Sequence, residues 1–281
     1  MRKLRRPHNP KNNRDAEELR GKGFCMVIDF HVHVREGHGE VKDLLNAMDA
    51  FGIDMAVVHP IASENNVLGY GDNAFVGKLV KQYPTRLMGF ASVLPYKRDA
   101  ADTLERAIGE YGLKGLKLHP AMQNYPMTDP CMYGISEKCI ELDIPILIHT
   151  GTINAREARI EYCDSLPIDD LAIRYPEAKY VIAHGNPLGI DPAMICKHDN
   201  VYLDTTGTFA RYVEMLPSAA PMCYKRMRKN DRIVFGTDAN PLNATVRITD
   251  NIEPLRGLDN ISAEDKELLF CGNAKRLLKM D

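Results

Sequence analysis

Residues 27–33, Val-Ile-Asp-Phe-His-Val-His, set Asp29, His31 and His33 at alternate positions among apolar neighbours. In an extended strand successive side chains take opposite faces, so these three are expected to project together while Ile28 and Phe30 face the other way. Two imidazoles on one strand face form half of a transition-metal site, because neutral imidazole suits zinc, iron, copper and nickel. An isolated His-x-His at a surface strand end has the same pattern, so the other polar residues decide its meaning. Of nine histidines, His31 and His33 end the first apolar run, His59 the second, His119 the fourth, His149 the fifth and His184 the sixth. Asp238 closes the eighth, and only His8, His38 and His198 fall elsewhere. Scattered surface histidines would not collect at the same end of five strands, so the pattern implies one shared mouth.

The elements that must hold these residues recur regularly. Short β-branched runs at 26–31, 54–60, 86–93, 115–120, 145–151, 179–185, 200–205 and 232–238 are each followed by turn residues and most then by a helical pattern. Helices are expected over about 41–51, stopped by Gly52, and over about 100–111. Strands alternating with helices imply parallel pairing through right-handed crossovers. Eight such units predict an α/β fold, a single (β/α)8 TIM barrel, whose active sites lie at the carboxyl ends of the strands. No GxGxxG turn follows the first strand, which argues against a doubly wound dinucleotide fold.

Composition bounds the rest. The 281 residues are 44% hydrophobic and 26% charged with a net charge of −2, a soluble chain with no global attraction to nucleic acid or acidic membranes. No apolar run is long enough to span a membrane. Seven cysteines without a CxxC pair predict reduced thiols and a cytoplasmic setting. Residues 1–25 carry a basic stretch without the apolar core of a signal peptide, and are expected to be a flexible extension ahead of a catalytic domain over 26–281.

The chain resembles the amidohydrolase superfamily, in the branch of metal-dependent barrel hydrolases and decarboxylases that includes aminocarboxymuconate-semialdehyde decarboxylase. The segments that carry the likeness are DFHVH (29–33), MDAFGIDMAVV (48–58), GLKLHP (115–120), ILIHTG (146–151), VIAHGN (181–186), FGTDAN (235–240) and GNAKRLL (272–278). This resemblance implies His31, His33, His149 and Asp238 as ligands of one divalent ion, zinc or alternatively manganese. It implies His184 and Asp238 as the groups that handle a proton beside a metal-activated water. Asp238 competes for a second role as N-cap of the following helix. Two-metal members carboxylate a lysine on the fourth strand, so Lys117 is a candidate bridge for a second ion, although this branch generally binds one. Gly185-Asn186 departs from the double glycine of the family.

Other positions complete the candidate site. Asp29 is expected to support a ligand from deeper in the barrel. His119 shares a face with Lys117, and His59 either lines the pocket or ends its strand. Arg35 and Arg156, with Arg159 and Arg211, follow strands at the expected mouth, where a guanidinium can clamp a substrate carboxylate.

The leading functional reading is a metal-dependent hydrolase of a small amide, lactone or ester. The alternative is a lyase, either a non-oxidative decarboxylase or a hydratase of a small carboxylated substrate. The same ligands serve all three reactions. A non-catalytic ligand- or nucleic-acid-binding barrel ranks last, resting only on the basic N-terminus. Neither the substrate nor the oligomeric state, including a homo-oligomer, is written in the sequence.

Overall fold

The strands are short runs, mostly apolar and buried on both faces, as strands sealed between a barrel interior and covering helices must be. The structure, a computed structural model, describes residues 26–60 and 73–280, so the expectation for residues 1–25 lies outside it. In chain order the strands are β1 (Ile28–His33), β2 (Met55–His59), β3 (Leu87–Gly89), β4 (Ala91–Ser92), β5 (Leu116–Leu118), β6 (Pro145–His149), β7 (Lys179–Ala183), β8 (Val201–Asp204) and β9 (Ile233–Val234). All pairings are parallel, in the orders β1-β2-β3 and β4 through β9.

Two seams join these sheets into the barrel. The third strand position is interrupted only at Phe90, whose N–H donates to Val58 O at 3.0 Å while Ala91 N–H donates to Gly115 O at 2.7 Å. The last position closes onto β1: Phe30 N–H donates to Phe235 O (2.8 Å), Asp238 N–H to His31 O (2.8 Å) and His33 N–H to Ala239 O (2.7 Å). The eight predicted strand positions are therefore present as a (β/α)8 barrel. The last is shorter than predicted, because from Gly236 onward the chain turns while still bonding to β1.

The core divides as the two-sided burial requires. Ala56, Val58, Ile146, Ile148 and Ile182 pack outward against helices, among them α1 (Val41–Ala50) through Leu44 and Met48, and α2 (Ala100–Gly109) through Leu104. Ile28, Phe30, Val57, Phe90, Leu147, Val181 and Val234 fill the interior, with Leu277 and Leu278 of the C-terminal helix (Asn273–Leu278) in the same cluster. Phe30 meets Phe90 edge-on at 5.4 Å. Gly115 makes that packing feasible, since a Cβ there would lie 2.4 Å from the Phe90 ring.

The first strand departs from simple alternation. Ile28 pairs with Met55 and Asp29 with Ala56, but Val32 then pairs with Val58 and His33 with His59. Phe30 and His31 together thus oppose Val57, which is a β-bulge. Before the bulge Ile28 shares the interior with Met55, while Asp29 is registered with outward-facing Ala56. After it Val32 is outward and His33 inward. The expectation that Asp29 shares a face with both histidines does not hold, and the extra residue is the reason.

Candidate metal centre

His33 and His59 are cross-strand partners at the ends of β1 and β2, with ring centroids 4.5 Å apart. His31, lifted inward by the bulge, lies 5.1 Å from His59 and 5.2 Å from both His33 and His184. His149 ends β6, 4.7 Å from His184, and stacks on His119 at 3.7 Å with a 12° interplanar angle. Asp238 reaches back from the turn after β9, its Oδ1 at 2.9 Å from His33 Nε2 and 3.7 Å from His31 Nε2. The barrel thus brings together His31, His33, His59, His119, His149, His184 and Asp238, with Lys117 beneath them on β5.

Hydrogen bonds fix which nitrogen each ring presents. Asp204, on β8, holds His31 Nδ1 at 2.6 Å from its Oδ2. Its Oδ1 accepts the backbone N–H groups of His184 (2.8 Å) and Thr206 (3.0 Å). As Asp204 acts as an acceptor, His31 donates from Nδ1 and keeps its Nε2 lone pair for the centre. His184 Nδ1 lies 3.3 Å from the Thr206 carbonyl, which can only accept, so its Nε2 lone pair is presented too. His119 is reversed: its Nδ1 accepts from Met122 N–H at 3.3 Å, so Nε2 carries the proton.

Burial sets the charge states. It is the main force pushing all six imidazoles below their ordinary range, reinforced for several by Lys117. Neutral rings are the form that ligates metals. Burial also brings the Lys117 ammonium down to about 8, against the attraction of Asp204 and Asp238. Its Nζ lies 3.1 Å from His31 Nε2, so a cation already stands next to the nitrogen a metal would use. Burial by itself would raise the Asp238 carboxyl, but the bond from His33 and the charges of His33, His184 and Arg247 hold it well below the usual range.

His184 and Asp238 share a further property, with φ of 59° and 58°. A non-glycine residue in this region costs about 1–2 kcal/mol, a strain that concentrates at functional sites. Asp238 is gripped from both sides. Asp29 Oδ1 accepts Thr237 N–H at 3.1 Å, Asp29 Oδ2 lies 2.5 Å from Thr237 Oγ1, and Asp238 N–H donates to His31 O. Asp29 therefore acts on the turn that carries Asp238. Gly236 permits the approach, because a Cβ there would lie 2.4 Å from Thr206 Oγ1 and 2.9 Å from His31 Cβ. Asp238 does not cap the next helix, α3 (Ala244–Arg256), whose N-cap is Asn243.

The donor set suits a divalent ion. Among the described residues His149 Nε2 is buried without a hydrogen-bond partner, and His31, His184 and Asp238 offer ligand atoms within 4.8 Å of one another. A second group at the same spacing is His31, His33 and His59. His149 belongs to neither of these tightest groups. Of the predicted arginines, Arg35 is half-buried just after β1, while Arg156, Arg159 and Arg211 are exposed. Sequence reasoning missed two residues. Asp204 was discoverable as the inward-facing acid ending the run Val201-Tyr-Leu-Asp. Arg247, 3.5 Å from Asp238 Oδ2, lies in the first turns of α3, inside a helix and not in the loop directly after a strand.

Comparison with known proteins agrees with the barrel fold. The chain is 29% identical to a 2-keto-4-carboxy-3-hexenedioate hydratase of a Sphingobium species over 40% of its own length, and spans 39% of that enzyme. Its fold matches a TIM-barrel protein of Bordetella bronchiseptica with a TM-score of 0.72 at 22% identity, covering 91% of this chain and 99% of that one. It matches the manganese-bound 5-carboxyvanillate decarboxylase of Novosphingobium aromaticivorans with a TM-score of 0.68 at 16% identity, covering 92% and 98%. A family model described as amidohydrolase matches residues 28–280, from the first strand to the end of the last helix, and the chain belongs to that family.

Proposed function

We propose that the protein is a metal-dependent lyase that hydrates a small unsaturated di- or tricarboxylic acid. The hydratase relative and the decarboxylase neighbour both favour a lyase over the hydrolase expected first. The observation that carries the reading is the pairing of a neutral His184, its Nε2 lone pair facing the centre, with the Lys117 cation, 3.1 Å from His31 Nε2 beside it. Hydration needs such a base to take a proton from water and an acid to return one to carbon.

In this reading His31, His33, His149 and Asp238 hold the ion, and Asp204 fixes the His31 tautomer. When bound, the ion supplies Lewis-acid polarisation of a substrate oxygen and acidifies water. His184 accepts the water proton at Nε2. The His119 Nε2–H, neutral and held by the bond its Nδ1 accepts from Met122 N–H and by its stack on His149, hydrogen-bonds the enolate oxygen that develops, and the Lys117 ammonium returns a proton to carbon as that enolate collapses. Arg247, beside Asp238 at the rim, binds a substrate carboxylate. The nitrogen-rich donor set favours zinc, and manganese in the decarboxylase neighbour makes it the second ion to test.

Purified protein loaded in turn with zinc and manganese should remove the conjugated absorbance of an unsaturated 2-oxo dicarboxylate and incorporate one 18O atom from labelled water without releasing carbon dioxide. Stoichiometric carbon dioxide would identify a decarboxylase instead. Turnover confined to lactones or amides would restore the hydrolase. His184→Asn should lower kcat about 10²–10⁴-fold while metal content is retained. Loss of metal in that variant would make His184 a ligand.

A further inference from the structure

We infer that His59 is an additional imidazole ligand of the ion held by His31 and His33, an inference that rests on the metal-centre reading above. The β-bulge at Phe30–His31 carries the argument. It restores the register so that His33 lies opposite His59, and paired residues of parallel strands share a face. The two rings meet edge to face at 4.5 Å, and His31 stands 5.1 Å from His59. One ligand atom from each of the three lies within 4.8 Å of the other two. Small ring rotations bring such a group to zinc–nitrogen bonds of about 2.0–2.1 Å.

His59 is fully buried, and neither ring nitrogen has a hydrogen-bond partner among the described residues. Buried polar atoms are satisfied by protein, by water or by an ion. His149, which the family resemblance nominates as third imidazole, is held flat against His119 and stands outside both tight groups. With His59 added to His31, His33 and His149, the first sphere holds four imidazoles and the Asp238 carboxylate. This donor set selects a borderline cation such as zinc, iron, cobalt or nickel over magnesium or calcium.

Crystals of the wild-type protein grown with zinc should show an anomalous peak at the zinc edge about 2.0–2.3 Å from a His59 ring nitrogen. A peak bonded to His31 and His33 but beyond van der Waals contact with both His59 nitrogens would overturn the inference and leave the metal centre intact. No bound zinc in the wild type would overturn both. In solution, His59→Gln should weaken the zinc Kd by at least about 10–100-fold in chelator competition, the loss typical of removing even an outer-sphere partner. It should also alter the visible spectrum of the cobalt-substituted protein. An unchanged affinity and spectrum for His59→Gln, alongside a weakened His149→Gln, would overturn the inference and leave His149 as the third imidazole.

Discussion

Asp204 touches no ion in the proposed reading, yet it governs the centre by dictating where His31 keeps its proton. Its carboxylate holds His31 Nδ1 and two backbone N–H groups at once, so it fixes ring orientation and the backbone before His184 together. Asp204→Asn should weaken divalent-metal affinity about 10–100-fold, read by chelator competition, with little change in the far-ultraviolet circular dichroism. Unchanged affinity would show that the bond is structural only. Arg247 belongs to the same scale. With a side chain 41% exposed beside Asp238, it is placed to affect substrate capture more than folding. Arg247→Ala should raise KM for a carboxylated substrate at least tenfold while the melting temperature moves by no more than a degree or two. An unchanged KM would exclude a carboxylate contact.

At the scale of elements, one inserted residue in β1 does what no substitution could. The bulge puts Phe30 in the barrel interior, aims His31 and His33 into the mouth and leaves Asp29 to secure the closing turn. The interior below the site is packed from several strands, so it is sensitive to volume. Phe90→Ala removes the ring that meets Phe30 and covers Gly115. It should cost about 3–5 kcal/mol of stability, measured by denaturant unfolding. Gly115→Ala should be destabilising through overpacking, by about 1–3 kcal/mol, and the loss should be smaller when combined with Phe90→Leu, since the clash is with the ring itself. Additive losses would place the strain elsewhere.

For the molecule as a whole, collecting six buried neutral imidazoles at one end makes stability depend on pH. Each has a folded-state pKa below its unfolded value near 6.5. In acid the unfolded chain therefore binds more protons than the folded one, so the rings make stability rise with pH up to about 7, and Lys117, at about 8 when folded against an ordinary 10.5, extends the rise more gently above that. The metal-stripped protein should melt at steadily lower temperature from pH 7 to pH 5 and at a slightly higher temperature at pH 8.5 than at pH 7.5. Saturating zinc should raise the melting temperature at pH 7 and lose that effect as protons compete for the rings. A flat profile between pH 5 and 7 would mean that the rings are already charged in the folded state.

The sequence by itself determined the alternation of strands and helices, and with it the barrel, because hydrophobic period and turn residues are local properties. It also determined which end of the barrel is polar, since histidines end five of the runs. Family motifs then identified the superfamily. Only the tertiary structure decided how those residues face one another. The bulge in β1 is a property of pairing with β2, so strict alternation misplaced Asp29. Asp204 and His31 lie 173 positions apart in the chain, as does nothing in a local pattern, and meet because β8 and β1 enclose the same interior. The left-handed backbone at His184 and Asp238 is likewise imposed by bonds from other strands. The reaction depends on these long-range relations, which is why the motifs alone fit three reactions.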